Sequence, residues 1–313
     1  MQIVDGILGG IHPQHQSSGV TRYDFKHRKN NKRRGEKRED GDQSALFFAG
    51  STAVFADEYY PDSQPTSSTR GDHWWSGDWY LTLGAKGFVA PKYEGAKDYM
   101  LSAAPVISLG RAGKSVRFSS LNDNASLGFI DTGVFRAGLT GKLITGRDRG
   151  DSDDLKGLHD VDWGFELGGF AEFYPTDNIR GRVEVRRGIG AHDGVVADFA
   201  IDAFKDITPT VRVSAGPRAT VASKDYFEEY YGVTASESAA SGLARYSPGG
   251  GLKSLGVGGQ ITWQTTDKIT TSAYAEYSRL MGPAADSSLV RERGSANQAT
   301  LGVQATYRFD FAL

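Results

Sequence analysis

Gln298 to Leu313, QATLGVQATYRFDFAL, restricts the fold of this chain more than any other stretch. Ala299, Leu301, Val303, Ala305, Tyr307, Phe309, Phe311 and Leu313 share one face, and Thr300, Gly302, Gln304, Thr306, Arg308 and Asp310 share the other. Such period-two alternation is a β-strand with one apolar and one polar face. A strand of a soluble sandwich would also show it. Here, however, Arg308 and Asp310 oppose an apolar face that ends in an aromatic run, the pattern of a wall strand in a membrane barrel.

A helical crossing needs about 20 consecutive apolar residues. The sequence has no such run, and its hydrophobic content is 39%, so any membrane crossing must be made by strands. The absence of cysteine excludes disulfide frameworks, thiolate zinc sites and cysteine nucleophiles. With 36 basic against 38 acidic residues there is no global field for nucleic acid, and no nucleic-acid partner is expected.

Between Arg22 and Arg38 nine basic residues face only Asp24 and Glu36. Residues 1–43 read as a basic disordered leader rather than as a patch for nucleic acid or anionic lipid. The leader is also longer and more mixed in sign than a signal n-region, so a mis-called translation start is an expectation too. Ser44 to Ala56, SALFFAGSTAVFA, reads as a signal-peptide h-region with cleavage after Ala56. Residues 57–77, with few apolar residues after Tyr60, read as a mobile N-terminal segment.

Residues 78–313 read as a single antiparallel transmembrane β-barrel of about twelve strands. Those are Asp78 to Ala90, Tyr99 to Gly110, Ser115 to Leu121, Ala125 to Ile130, Val134 to Thr145, Val161 to Tyr174, Ile179 to Ile189, Val195 to Phe204, Val211 to Val221, Leu255 to Trp263, Ile269 to Tyr277 and Gln298 to Leu313. Ten strands result if the Ser115 to Ile130 hairpin is not in the wall. Connections after even-numbered strands are short. All the long ones, Gly146 to Asp160, Ala222 to Gly251 and Met281 to Asn297, follow odd-numbered strands. That asymmetry places both termini in the periplasm.

Charges on the second face must then point inward, because a basic group facing hydrocarbon at the midplane costs roughly 2 to 4 kcal/mol. The lumen-lining candidates are Lys86, Glu166, Glu172, Arg180, Arg182, Glu184, Arg186, Asp198, Asp202, Arg212, Arg218, Glu276 and Arg308. Opposite charges on neighbouring strands suit cross-strand ion pairs that fill a modest barrel. Tyr307, Phe309, Phe311 and Leu313 form the candidate C-terminal signal for the barrel-assembly machinery. Beyond the predicted cleavage site the histidines are His73, His159 and His192, and no surrounding motif gives any of them a nucleophile and a third partner. Gly150 to Asp154, GDSDD, reads as a solvated loop. No catalytic residue, cofactor or metal site is therefore expected.

The loops carry a further pattern: APKYEGAKDY at Ala90 to Tyr99, GRD at Gly146 to Asp148, HDGVVAD at His192 to Asp198, GPRATVASKDYFEEYYGVT at Gly216 to Thr234, ADSSLV at Ala285 to Val290, and YRF at Tyr307 to Phe309. In this order they resemble the MipA/OmpV family of outer-membrane proteins. Asp193, where the family usually has Gly, and Ser288, where it usually has Pro, depart from it. The resemblance implies a non-enzymatic scaffold in a Gram-negative outer membrane, surrounded by lipid and lipopolysaccharide. It also implies an MltA-interacting role in peptidoglycan metabolism, linking a lytic transglycosylase with a murein synthase. The alternatives are an outer-membrane channel or surface receptor for small solutes or ligands and, last, a barrel lipid hydrolase. If the aromatic end is the assembly signal, deleting residues 309–313 abolishes insertion. Loss of heat-modifiable migration in detergent gels is the expected readout, and a truncated chain that still shifts contradicts it.

Overall fold

The computed structural model describes residues 78–111 and 118–312. The expected leader, signal segment and mobile stretch at 1–77 lie outside the described residues, as do Ser115 to Arg117 and Leu313. Eleven strands form one antiparallel sheet that curls into a half-barrel: β1 (Asp78–Pro91), β2 (Tyr99–Arg111), β3 (Ala125–Asp131), β4 (Phe135–Ile144), β5 (Gly164–Thr176), β6 (Ile179–Ile189), β7 (Val195–Thr208), β8 (Val211–Ala222), β9 (Gly251–Gln264), β10 (Ile269–Leu280) and β11 (Asn297–Ala312). Neighbours in sequence pair in space except β2 and β3, and β1 also pairs with β11, so the sheet order is β2-β1-β11-β10-β9-β8-β7-β6-β5-β4-β3. No described helix is long and apolar enough to cross a membrane.

The alternation resolves as a barrel in lipid requires. On β11, Leu301 and Val303 are 58% and 62% exposed, whereas Thr306 and Arg308 on the other face are buried. On β6, Ile179, Val183, Val185 and Ile189 are exposed and Arg180, Arg182, Glu184 and Arg186 are buried. In water such a continuous apolar exterior would be an association surface. In a bilayer it is the lipid face. The inner face of a curled sheet is crowded, and two inward glycines relieve it. A Cβ on Gly168 would sit 1.8 Å from the Val185 carbonyl oxygen, and one on Gly216 would sit 1.7 Å from that of Ile201.

Asp78 pairs with Ala312, so the first and last strands meet at one end of the sheet. That end carries the short turns 132–134, 177–178, 209–210 and 265–268, and the other end carries the long connections 145–163, 223–250 and 281–296. The short-turn end, with both strand termini, is periplasmic.

Strand boundaries depart from the sequence reading where non-periodic contacts intervene. β5 starts at Gly164 rather than Val161, because Val161 forms a separate bridge with Arg147, N–H to carbonyl in both directions at 2.9 Å. β9 starts at Gly251, earlier than Leu255. The long connection 223–250 holds two short helices, α1 (Lys224–Tyr231) and α2 (Ala235–Ser241). Thr234 and Glu237 close a capping box on α2, and Gly242 ends it in the left-handed region.

The expected strand Ser115 to Leu121 is not in the wall over its described part: Phe118 to Leu121 belong to no strand. Eleven strands with both ends on one side would otherwise be a contradiction, since β2 and β3 both run toward the periplasmic end. The described part of the connection between them, Phe118 to Asn124, resolves it by lying on the inside of the sheet.

Val303 lies mid-strand, opposite Gly87 and Ala273. We predict that Val303→Arg destabilises the barrel in lipid vesicles by roughly 2 to 4 kcal/mol, read from equilibrium denaturant unfolding. An unchanged midpoint would mean that this face does not contact hydrocarbon.

Candidate functional site

Charge on β6 follows from its period, which sends Arg180, Arg182, Glu184 and Arg186 to the same side. Register supplies their partners. Arg182 lies opposite Glu172 of β5 and Arg180 opposite Asp202 of β7, while Glu184 lies opposite another carboxylate, Asp198, and both are held by Arg186. Arg186 uses all three of its nitrogens: Nε donates to Glu166 at 2.8 Å, Nη1 to Glu184 at 2.6 Å and Nη2 to Asp198 at 2.5 Å. Arg180 is fully buried and donates to Asp202 at 2.6 Å and to Glu172 at 3.2 Å. Arg182 bridges Glu172 and Glu184 and lies 4.3 Å from the Phe170 ring centroid. Arg218 of β8 closes on Asp202 from the other side. Such a cluster is tolerable only when complete, because an orphaned buried charge costs several kcal/mol.

The connection after β2 completes it. Asp123 accepts from Arg180 Nη1 at 2.5 Å and from Nη2 at 2.9 Å, and its carboxylate also accepts the Ser120 N–H. Phe118 stacks on Phe204 at 4.3 Å with the rings 4° apart, and the Arg180 guanidinium lies 4.8 Å from its centroid. Leu121 N–H donates to Gln260 of β9 at 2.7 Å, and Gln260 returns a bond to the Ser119 carbonyl. Asn122 donates to Glu276 of β10, and Asn124 donates to Glu184 of β6. Phe118 to Asn124 therefore crosses the lumen, held by β5–β7 on one side and β9–β10 on the other. Its polar run, Ser119, Ser120, Asn122, Asp123 and Asn124, gives it no face that could meet lipid.

Above this network the long loops form a cap with its own apolar core. Val196, Tyr226, Phe227, Tyr231, Leu280 and Val290 make one buried cluster, and Tyr93, Ala96, Leu155, Leu158, Val233, Leu243 and Leu289 make another. Polar contacts join cap to lumen. His192 Nε2 lies 3.1 Å from Glu166, and Lys253 pairs with Glu94 at 2.7 Å beneath the Tyr226 hydroxyl, which donates to Glu94. His159 Nδ1 is 2.5 Å from Glu237, and its Nε2 is 2.9 Å from the Glu229 carbonyl oxygen. The Glu229 carboxylate, 3.5 Å from Nε2, opposed by burial and reinforced by Glu237, pushes the His159 imidazole up to about 9. A raised imidazole value stabilises the folded cap fully below about 6.5 and loses that contribution as pH rises through about 9. Burial raises the Glu237 carboxyl, but the Thr234 hydroxyl and N–H outweigh it and hold the group at about 2.

A family model described as "MltA-interacting protein MipA" matches residues 83–309. The chain belongs to the MipA family. Its barrel accordingly lies in the outer membrane of a Gram-negative bacterium. Comparison with curated proteins finds no match. Among solved structures the chain is similar to a bacterial polysaccharide outer membrane secretin, at 9% identity over 74% of this chain and 98% of that one, with a TM-score of 0.39. The outer membrane channel DcaP of Acinetobacter baumannii gives 9% identity, 74% and 98% coverage and a TM-score of 0.36. The NanC porin gives 7%, 73%, 98% and 0.34. Likenesses of this grade lend nothing to a functional reading. In this member of the family the loop motifs converge on the cap: Tyr93 to Ala96, Arg147, His192, Tyr226 to Val233 and Ser287 to Val290 all contribute to it.

Of the thirteen lumen candidates, Glu166, Glu172, Arg180, Arg182, Glu184, Arg186, Asp198, Asp202 and Arg218 form the one cluster. Glu276 joins through Asn122. Arg212 instead pairs with Asp206 at 2.7 Å near the periplasmic turns. Arg308 sits over the Tyr80 ring at 4.2 Å and pairs with Asp310, and Lys86 is half-buried near Phe88 on the inner face of β1. Tyr307, Phe309 and Phe311 face outward. Sequence reasoning missed Asp123, Gln260, Glu94 and Lys253, which lack a periodic context or a partner nearby in the chain. We predict that Arg180→Ala, which takes the close ion-pair partner from buried Asp123 and removes one arginine each from Glu172 and Asp202, costs about 3 to 5 kcal/mol in denaturant unfolding of the lipid-embedded barrel. A loss below about 1 kcal/mol, the range of a solvated pair, would contradict the closed network.

Proposed function

We propose that this protein is a non-enzymatic scaffold whose barrel is sealed, and which binds murein enzymes at its periplasmic end. The observation that carries this reading is the lumen crossing by Phe118 to Asn124, which occupies with fixed hydrogen bonds the space that a solute path would need. The capped outer mouth supports it further, since the apolar clusters tie the long loops to one another rather than leaving them as separate arms. With the interior filled, the periplasmic turns are the surface left for a partner on that side of the membrane. The family's description, which names MltA, supports a lytic transglycosylase of that type as the partner, and a murein synthase is the second partner of this reading.

The channel alternative needs an open path through the same space, and the inner segment stands against it. Capture tests the scaffold reading. The barrel, immobilised in detergent micelles, is predicted to retain a purified MltA-type lytic transglycosylase and, through it or beside it, a murein synthase. Retention no greater than that of an unrelated barrel of similar size would remove the scaffold role.

A further inference from the structure

At the long-loop end a cavity of about 300 Å³ lies between the inner faces of β1 and β2 and the chain that follows β4. Phe88, Ala90, Pro91 and Met100 give it apolar walls, and Lys92, Arg147 and Asp151 add charge. Asp151 is already engaged, its carboxylate accepting the Asp148 N–H at 2.8 Å. Arg147 is in a different position. It is 9% exposed, its Nη1 donates to the Tyr230 carbonyl at 2.8 Å, and its Nε has no hydrogen-bond partner among the described residues. No carboxylate among the described residues forms an ion pair with it, unlike Arg180, Arg182 and Arg186 lower in the lumen. A buried guanidinium without a counter-charge is costly, and the bound anion that would complete it belongs in the cavity that it lines.

The wall beside this cavity is incomplete. β3 meets β4 only from the Ala125–Gly141 pair downward, so Lys142 to Ile144 have no β3 partner. Among the described residues β2 pairs only with β1. Among the described residues the upper barrel therefore has no strand between β2 and β4, at the level where the outer leaflet surrounds it. A soluble anion would need only the basic groups. The apolar walls and the lateral gap suit an acyl chain.

We propose that this cavity binds an acyl chain ending in an anionic headgroup, entering sideways from the outer leaflet, with the headgroup on Arg147 and Lys92 and the chain against Phe88, Pro91 and Met100. A volume of about 300 Å³ is at the lower end for a ligand pocket, so it takes one chain or part of one rather than a whole multi-acyl lipid. The phosphate of a lipid A headgroup and the carboxylate of a free fatty acid offer the same chemistry to Arg147.

The test uses the whole protein in phosphatidylcholine nanodiscs with a fluorescent undecanoate as probe, displaced by bisphosphorylated lipid A, by dodecanoate or by neutral dodecyl maltoside. Saturable probe binding should weaken at least about tenfold in Arg147→Gln, the loss of one charge-assisted contact. It should be unaffected in Arg149→Gln, since Arg149 pairs with Asp160 and does not line the cavity. Met100→Trp, which fills the cavity without touching the buried guanidinium, should block binding in a barrel that still shows heat-modifiable migration. Displacement by lipid A identifies a headgroup phosphate of the leaflet, and displacement by dodecanoate alone identifies a free carboxylate chain. Unchanged binding in both Arg147→Gln and Met100→Trp, or equal displacement by dodecyl maltoside, overturns the proposal.

Discussion

Everything in this barrel depends on one electrostatic constraint: charge that cannot face lipid must be neutralised inside. The exterior of β5 to β8 is apolar over its middle, with Arg187 and Lys205 exposed only near the two ends of the wall, so the arginines and carboxylates at mid-depth are committed to a narrow interior where desolvation outweighs the attraction of any single pair. The chain meets this with shared partners. Arg186 serves three carboxylates, and Asp202 and Glu172 each serve more than one arginine. Sharing ties neighbouring strands together through side chains as well as through the backbone ladder, and it makes any single deletion felt across several strands.

The inner segment follows from the same constraint. The β5–β8 cluster presents an arginine, Arg180, toward a space that a twelfth wall strand would have left to water. Asp123 occupies that space as a third carboxylate partner for the guanidinium, and Phe118 covers it. Because the chain passes through the lumen instead of the wall, β2 and β3 are left as unpaired edges among the described residues. Filling of the interior and the gap in the upper wall are thus two consequences of one rerouted connection.

Much of this was legible in the sequence, and the reasons are physical. A side-chain period of two reports directly which residues share a face, so the lumen cluster on β5 to β8 could be named from alternation alone. Loop-length asymmetry reports the direction of insertion. The inner segment could not be read the same way. Phe118 sits in a stretch that alternates weakly, and the partners that hold the segment, Gln260 and Glu276, lie 139 and 154 residues away in the chain. The cap was hidden for a similar reason: α1 and α2 are 8 and 7 residues long, too short for a helical period to stand out, and their stability comes from packing against other loops. The loop motifs did carry a signal, since they mark the segments that meet in the cap.

The most direct test of the central claim, that the interior is filled by Phe118 to Asn124 and the arginine cluster, is single-channel recording in planar bilayers. The intact barrel should give no steady conductance, and a Phe118→Ala, Asn122→Ala, Asp123→Ala triple variant should give discrete ohmic steps. Stable ohmic conductance from the intact barrel, unaltered in the triple variant, would contradict the account.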